Sequence, residues 1–156
     1  MKQILKAITK SARETEKFAE AFAREVLRLK TKKAILIGLE GELGAGKTTF
    51  AKGFARGLGI KEEMKSPTFI LMRVFRFRSP TSRTPRSRTS VFFHIDAYRD
   101  QIDFREFLRS NKNILLVEWS NKAKKFLPEN YFRFVLRDPT PTLRRGRTSR
   151  EIIFYA

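Results

Sequence analysis

Ile35-Leu36-Ile37-Gly38-Leu39-Glu40-Gly41-Glu42-Leu43-Gly44-Ala45-Gly46-Lys47-Thr48-Thr49 decides the fold. The opening residues form an apolar run rich in β-branched side chains, which predicts a buried strand. The run then becomes Gly41-x-x-x-x-Gly46-Lys47-Thr48, a full match to the phosphate-binding P-loop pattern. Thr49 to Arg56 follows at helical spacing, with Phe50 and Phe54 on one face, before Gly57 and Gly59 end it. Gly41, Gly44 and Gly46 let the backbone turn tightly and approach a ligand closely. Successive N–H groups then converge at a helix start, where the macrodipole also favours an anion. Lys47 adds a point charge for terminal phosphates and Thr48 a hydroxyl suited to Mg²⁺.

Outward from this stretch, Ser11-Ala12-Arg13-Glu14 has the form of a capping box. Phe18, Phe22, Val26 and Leu29 recur behind it, so residues 11–29 read as an amphipathic helix with Thr15 on its exposed side, either facing a nucleotide or plain surface. After Gly59, Ser66-Pro67-Thr68 excludes helix and forces an extended entry. Phe69 to Phe77 and Val91 to Asp96 read as two strands of a long hairpin around Ser79–Ser90, a segment of only Ser, Thr, Pro and Arg. Residues 102–110 read as a short helix, Ile114 to Trp119 as an apolar strand, and the basic piece before Pro128 as helical. Tyr131 to Leu136 and Glu151 to Tyr155 read as the last strands, separated by the Arg-rich loop Pro139–Arg150.

These elements predict one α/β domain over residues 1–156: a P-loop NTPase-type sheet with parallel core strands and flanking helices. The hairpin and the last two strands are expected as antiparallel edges. Two acids end apolar strands, Asp96 and Glu118. A P-loop site requires such a carboxylate to hold Mg²⁺ or to orient water, and spacing alone does not say which acid does which. Thr68 stands on a rigid turn that would aim its hydroxyl at the γ-phosphate. Arg99 either neutralises phosphate charge or pairs with Asp103. Asn121-Lys122-Ala123-Lys124 approximates a guanine-reading motif, but Lys124 replaces the acid that reads guanine, which argues against GTP.

Composition narrows the classes further. The 156 residues carry no cysteine and a single histidine, His94, so thiolate and histidine-cluster metal sites are excluded. No apolar run approaches the roughly 20 residues of a membrane helix, and no signal-peptide core is apparent at Met1–Leu5. A cytoplasmic protein with no membrane partner is therefore expected. Net charge is +18, from 34 Lys and Arg against 16 Asp and Glu, an excess that draws polyanions.

The blocks Gly41 to Phe50, Ser66-Pro67-Thr68-Phe69, His94-Ile95-Asp96-Ala97-Tyr98-Arg99 and Val117-Glu118-Trp119-Ser120 occur in the order found in the TsaE family, which this chain resembles from Ser11 to its closing strand. That family comprises small bacterial ATPases required for threonylcarbamoyladenosine (t6A) modification of tRNA. The resemblance implies that Gly41, Leu43, Gly44, Ala45, Gly46, Lys47, Thr48 and Thr49 bind ATP, with Trp119 beside them. It implies that Thr48 and Glu118 hold Mg²⁺, that Lys47 and a switch-like Thr68 act at the γ-phosphate, and that Asp96 orients water or accepts its proton. It also implies TsaB and TsaD as partners, with tRNA within reach of the complex. The chain departs from the family pattern in Asn121-Lys122 after the Trp-Ser pair, in a shortened Asp100–Phe104 segment, and in the Arg-rich loop. Two other readings compete: a small nucleoside or nucleotide kinase with Arg83, Arg86 and Arg88 as a lid, and a basic RNA-binding module with a structural nucleotide.

Overall fold

The fold is described from a computed structural model covering residues 1–64, 70–78, 89–99, 102–139 and 149–156. The strands are β1 (Gln3–Thr9), β2 (Ile35–Glu40), β3 (Met72–Arg78), β4 (Thr89–Asp96), β5 (Asn113–Glu118), β6 (Phe132–Arg137) and β7 (Arg150–Tyr155). They form one seven-stranded sheet in the order β1-β7-β6-β2-β5-β4-β3. β6, β2, β5 and β4 run parallel through its middle, while β3 pairs antiparallel with β4, and β7 with both β6 and β1.

The parallel centre is as expected from the apolar runs: Leu36 to Leu39 and Ile114 to Glu118 are buried residue by residue, as a strand covered on both faces must be. The last two strands are not edges. β6 inserts beside β2, and β7 is sandwiched between β6 and β1, because a strand absent from the sequence reading, β1, completes that side. Lys6 of β1 and Arg137 of β6 both bind the Glu151 carboxylate on β7, tying the three strands together and holding its pKa below the ordinary value.

Helix α1 (Ala12–Val26) is shorter than residues 11–29, and Ser11 caps it by accepting from the Glu14 N–H at 3.2 Å; removing such a cap costs about 1 kcal/mol. Thr15 is buried, contrary to its expected exposure, because its hydroxyl meets Thr9 of β1 at 2.7 Å. Helix α2 (Lys47–Gly57) lies against α1 at close range. A Cβ on Gly53 would fall 2.1 Å from the Glu16 carbonyl, so only glycine permits that approach.

Both helices cover one sheet face with a phenylalanine-rich core. Phe22 meets Phe134 edge-on at 4.8 Å, and Phe134 stacks on Phe154 at 4.7 Å. Phe50 and Phe54 are fully buried there, each an expected loss of about 3–5 kcal/mol if cut to alanine. The opposite face is covered by 3-10 turns at Arg105–Arg109, Ser120–Lys122 and Lys124–Phe126, where longer helical pieces were expected.

Candidate functional site

Parallel register brings the functional side chains to one end of the sheet. Asp96 ends β4 directly opposite Glu118 at the end of β5, and β2 leaves the sheet there into the P-loop. The loop fits its glycines: Gly46 takes φ 99° at the helix start, and a Cβ on Gly41 would lie 2.1 Å from the Leu136 carbonyl. A cleft of about 210 Å³ results, lined by Leu43, Gly44, Gly46, Lys47, Thr48, Thr49, Asp96, Glu118 and Trp119. A wider cavity of about 430 Å³ at the far end, around Leu29, Tyr131 and Phe132, contains no acidic side chain and no P-loop residue.

Lys47 is nearly buried, and its Nζ donates to the carbonyls of Gly41 (2.7 Å) and Glu42 (2.9 Å). The ammonium also sits 3.5 Å from the centre of the Trp119 ring, a cation–π contact. Burial pushes the Lys47 pKa below its ordinary value, opposed by the charges of Glu118, Asp96 and Glu42. Thr48 donates its hydroxyl to Glu118 Oε2 at 3.2 Å.

Glu118 has a second partner that the sequence reading did not assign. His94 is fully buried, with Nε2 2.8 Å from Glu118 Oε1. An ionised carboxylate only accepts, so Nε2 carries the proton, and the imidazole fixes the rotation of the carboxylate that faces Thr48. A polar residue inside an otherwise apolar strand, two positions before Asp96 and thus on the same face, was the available signal.

Asp96 is almost entirely buried, and its Oδ1 accepts from the Tyr98 N–H at 2.8 Å. Its own N–H donates to the carbonyl of Leu71 at 2.9 Å. Leu71 and Trp119 are the non-glycine residues of the described chain at positive φ, 63° and 60°. Such backbone costs roughly 1–3 kcal/mol and concentrates at functional sites, and both residues adjoin the acids of this cleft.

Ala45 packs behind the loop and is buried. Arg150, at the start of β7, reaches across to donate from Nη2 to the Gly44 carbonyl at 3.0 Å, bracing the loop from outside. Asp103 is bound by Arg105 at 2.5 Å, which holds its pKa down to about 2. Thr68 and residues 79–88 lie outside the described residues. The residues on either side of 79–88, Arg78 and Thr89, stand at the opposite end of β4 from Asp96.

Chemically, the site combines main-chain N–H groups, one partly desolvated ammonium, one hydroxyl and two buried carboxylates. Among the described residues no three His, Cys, Asp or Glu side chains gather into a metal cage. A hydroxyl beside a single carboxylate does fit a hard cation that takes its other oxygens from phosphate and water.

Comparison with known proteins points to one family. The family described as "Threonylcarbamoyl adenosine biosynthesis protein TsaE" matches residues 9–147. The chain is 34% identical to the tRNA threonylcarbamoyladenosine biosynthesis protein TsaE of Haemophilus influenzae over 120 residues, 72% of this chain and 69% of that one. Against the protein of the same name from Aquifex aeolicus, identity is 35% over 127 residues, 80% and 83% of the two chains. The crystal structure of YdiB from Bacillus subtilis superposes with a TM-score of 0.70 at 31% identity, covering 98% of this chain and 84% of that one.

Proposed function

This chain belongs to the TsaE family of threonylcarbamoyladenosine biosynthesis proteins, and from that premise we propose that it is a Mg²⁺-dependent ATPase serving tRNA modification together with TsaB and TsaD. The observation that carries the proposal is the hydrogen-bonded pair Thr48–Glu118 beside the Lys47 ammonium, at the mouth of an intact P-loop.

In this reading the N–H groups of Gly44 to Thr49 cradle the phosphates, and Lys47 leaves the carbonyls of Gly41 and Glu42 to meet the β- and γ-phosphates. Its partial desolvation strengthens that attraction, since a charge is worth more where water is scarce. Thr48 and Glu118 would hold Mg²⁺, which when bound neutralises charge developing on the phosphates. His94 keeps the Glu118 carboxylate turned toward that position. Asp96, held by the Tyr98 N–H, would orient the attacking water and take its proton. Thr68 is proposed as the switch-like hydroxyl near the γ-phosphate. Phosphoryl transfer leaves little covalent work for the protein, so positioning and charge carry the rate.

The test is ATP turnover by the purified protein, alone and with TsaB–TsaD. The expected result is slow hydrolysis alone and stimulation by the partners, with Glu118→Ala lowering turnover by on the order of 10²-fold. Turnover unaltered by Glu118→Ala would remove the metal assignment.

A further inference from the structure

The end of the sheet remote from the cleft gathers cations from separate parts of the chain. Lys30, Lys32 and Lys33 lie between α1 and β2, Arg78 closes β3, and Arg109 and Lys112 flank the turn into β5. All of them are exposed, and none has an ion-pair partner among the described residues. Of the nearby acids, Glu25 is bound by Arg28 at 2.6 Å and Asp103 by Arg105 at 2.5 Å, while Glu106 lines a pocket with Arg109.

Backbone contacts hold these segments side by side. The Ala34 N–H donates to the Leu108 carbonyl at 3.3 Å, so Lys33 and Arg109 follow from adjoining residues. The Val91 N–H donates to the Lys112 carbonyl at 3.0 Å, and Arg78 pairs across the ladder with Thr89. Lys30 and Lys112 line one cavity of about 340 Å³ that also exposes Thr31, Ser90 and Asn111.

Clustering an excess of like charges costs free energy through mutual repulsion, and a polyanion relieves it by releasing its counterions. We propose that this end face binds the phosphate backbone of RNA, at a site separate from the nucleotide cleft. The Lys30 and Lys112 ammonium groups beside a cavity offering two hydroxyls and an amide, with the other cations around it, suit successive phosphates and the 2′-hydroxyls between them. The site does not depend on the ATPase reading, since no residue of the P-loop enters it.

The test uses the full chain and a bulk tRNA preparation, titrated at several salt concentrations without ATP. In the expected result, Lys30→Gln, Lys33→Gln and Lys112→Gln together weaken binding on the order of ten- to a hundredfold and reduce the log–log salt slope by about 2 to 3. Calorimetry with ATP and Mg²⁺ on the same variant should match the parent, which separates loss of this face from loss of fold. An unchanged slope would overturn the proposal, as would displacement of the tRNA by MgATP. Equally tight, equally lysine-dependent binding of polyglutamate of matched charge would assign the face to an acidic protein instead.

Discussion

The two ends of the same parallel strands are built on opposite principles. Where β4 and β5 finish, Asp96 and Glu118 are buried, and His94 and Thr48 fix the Glu118 oxygens by specific hydrogen bonds. Where β2, β4 and β5 begin, Lys30, Lys33, Arg109 and Lys112 stand exposed and unpaired among the described residues. Burial is the deciding difference. A desolvated group must be satisfied in one geometry, which makes the first end a place for directed chemistry. Solvated charges on flexible stems need no fixed geometry, and they suit a long-range, salt-dependent contact.

The largest expected effect lies at the buried end. Asp96→Asn keeps the shape and the acceptor for the Tyr98 N–H but removes the proposed base. Hydrolysis should fall by about 10²–10⁴-fold while calorimetry shows ATP affinity nearly unchanged. If affinity fell in parallel with the rate, Asp96 would be a binding group, and the division of labour between it and Glu118 would be lost. The same substitution should leave tRNA retention at the far end untouched.

A smaller effect is expected at Trp119. Its indole lies beside the Tyr98 ring, centres 4.7 Å apart and planes tilted by 48°, and sits under the Lys47 ammonium. Cutting it to leucine should cost ATP about 0.5–2 kcal/mol of affinity, a few-fold to about thirtyfold, measured by isothermal titration. Affinity equal to the parent would mean that Trp119 only fills space above the lysine.

How much of this was legible in the sequence follows the same division. The P-loop could be read because its spacing is local and each position has one physical job. Asp96 and Glu118 could be read as acids at the ends of apolar runs, but their register opposite one another needs β4 and β5 to be neighbours, which no local pattern states. β1 escaped the reading because most of its residues are exposed, and its pairing with β7 joins the two ends of the chain. Missing β1 led to the misplacement of Thr15, whose burial depends on Thr9. It also left the last strands looking like edges. The basic end was visible only as a net charge: three chain segments contribute to it, and topology alone brings them together.

The smallest expected effect sharpens the comparison through pH. Burial lowers the pKa of Lys47 beneath the ordinary lysine value of 10.5. Phosphate binding requires the protonated form, so ATP affinity should begin to fall as pH rises toward that lowered pKa, ahead of an ordinary lysine. For the free protein the sign is reversed: the native state releases the proton more readily than the unfolded chain, so between the lowered pKa and 10.5 this group favours folding more as pH rises. ATP affinity and thermal stability should therefore move in opposite directions across that window in the parent protein. In Lys47→Met, weak residual ATP binding and stability should both lose that dependence. A parent whose ATP affinity stays flat until pH passes 10.5 would show that the ammonium is no longer desolvated once the cleft is filled, and the contrast between the two ends would then rest on the carboxylates alone.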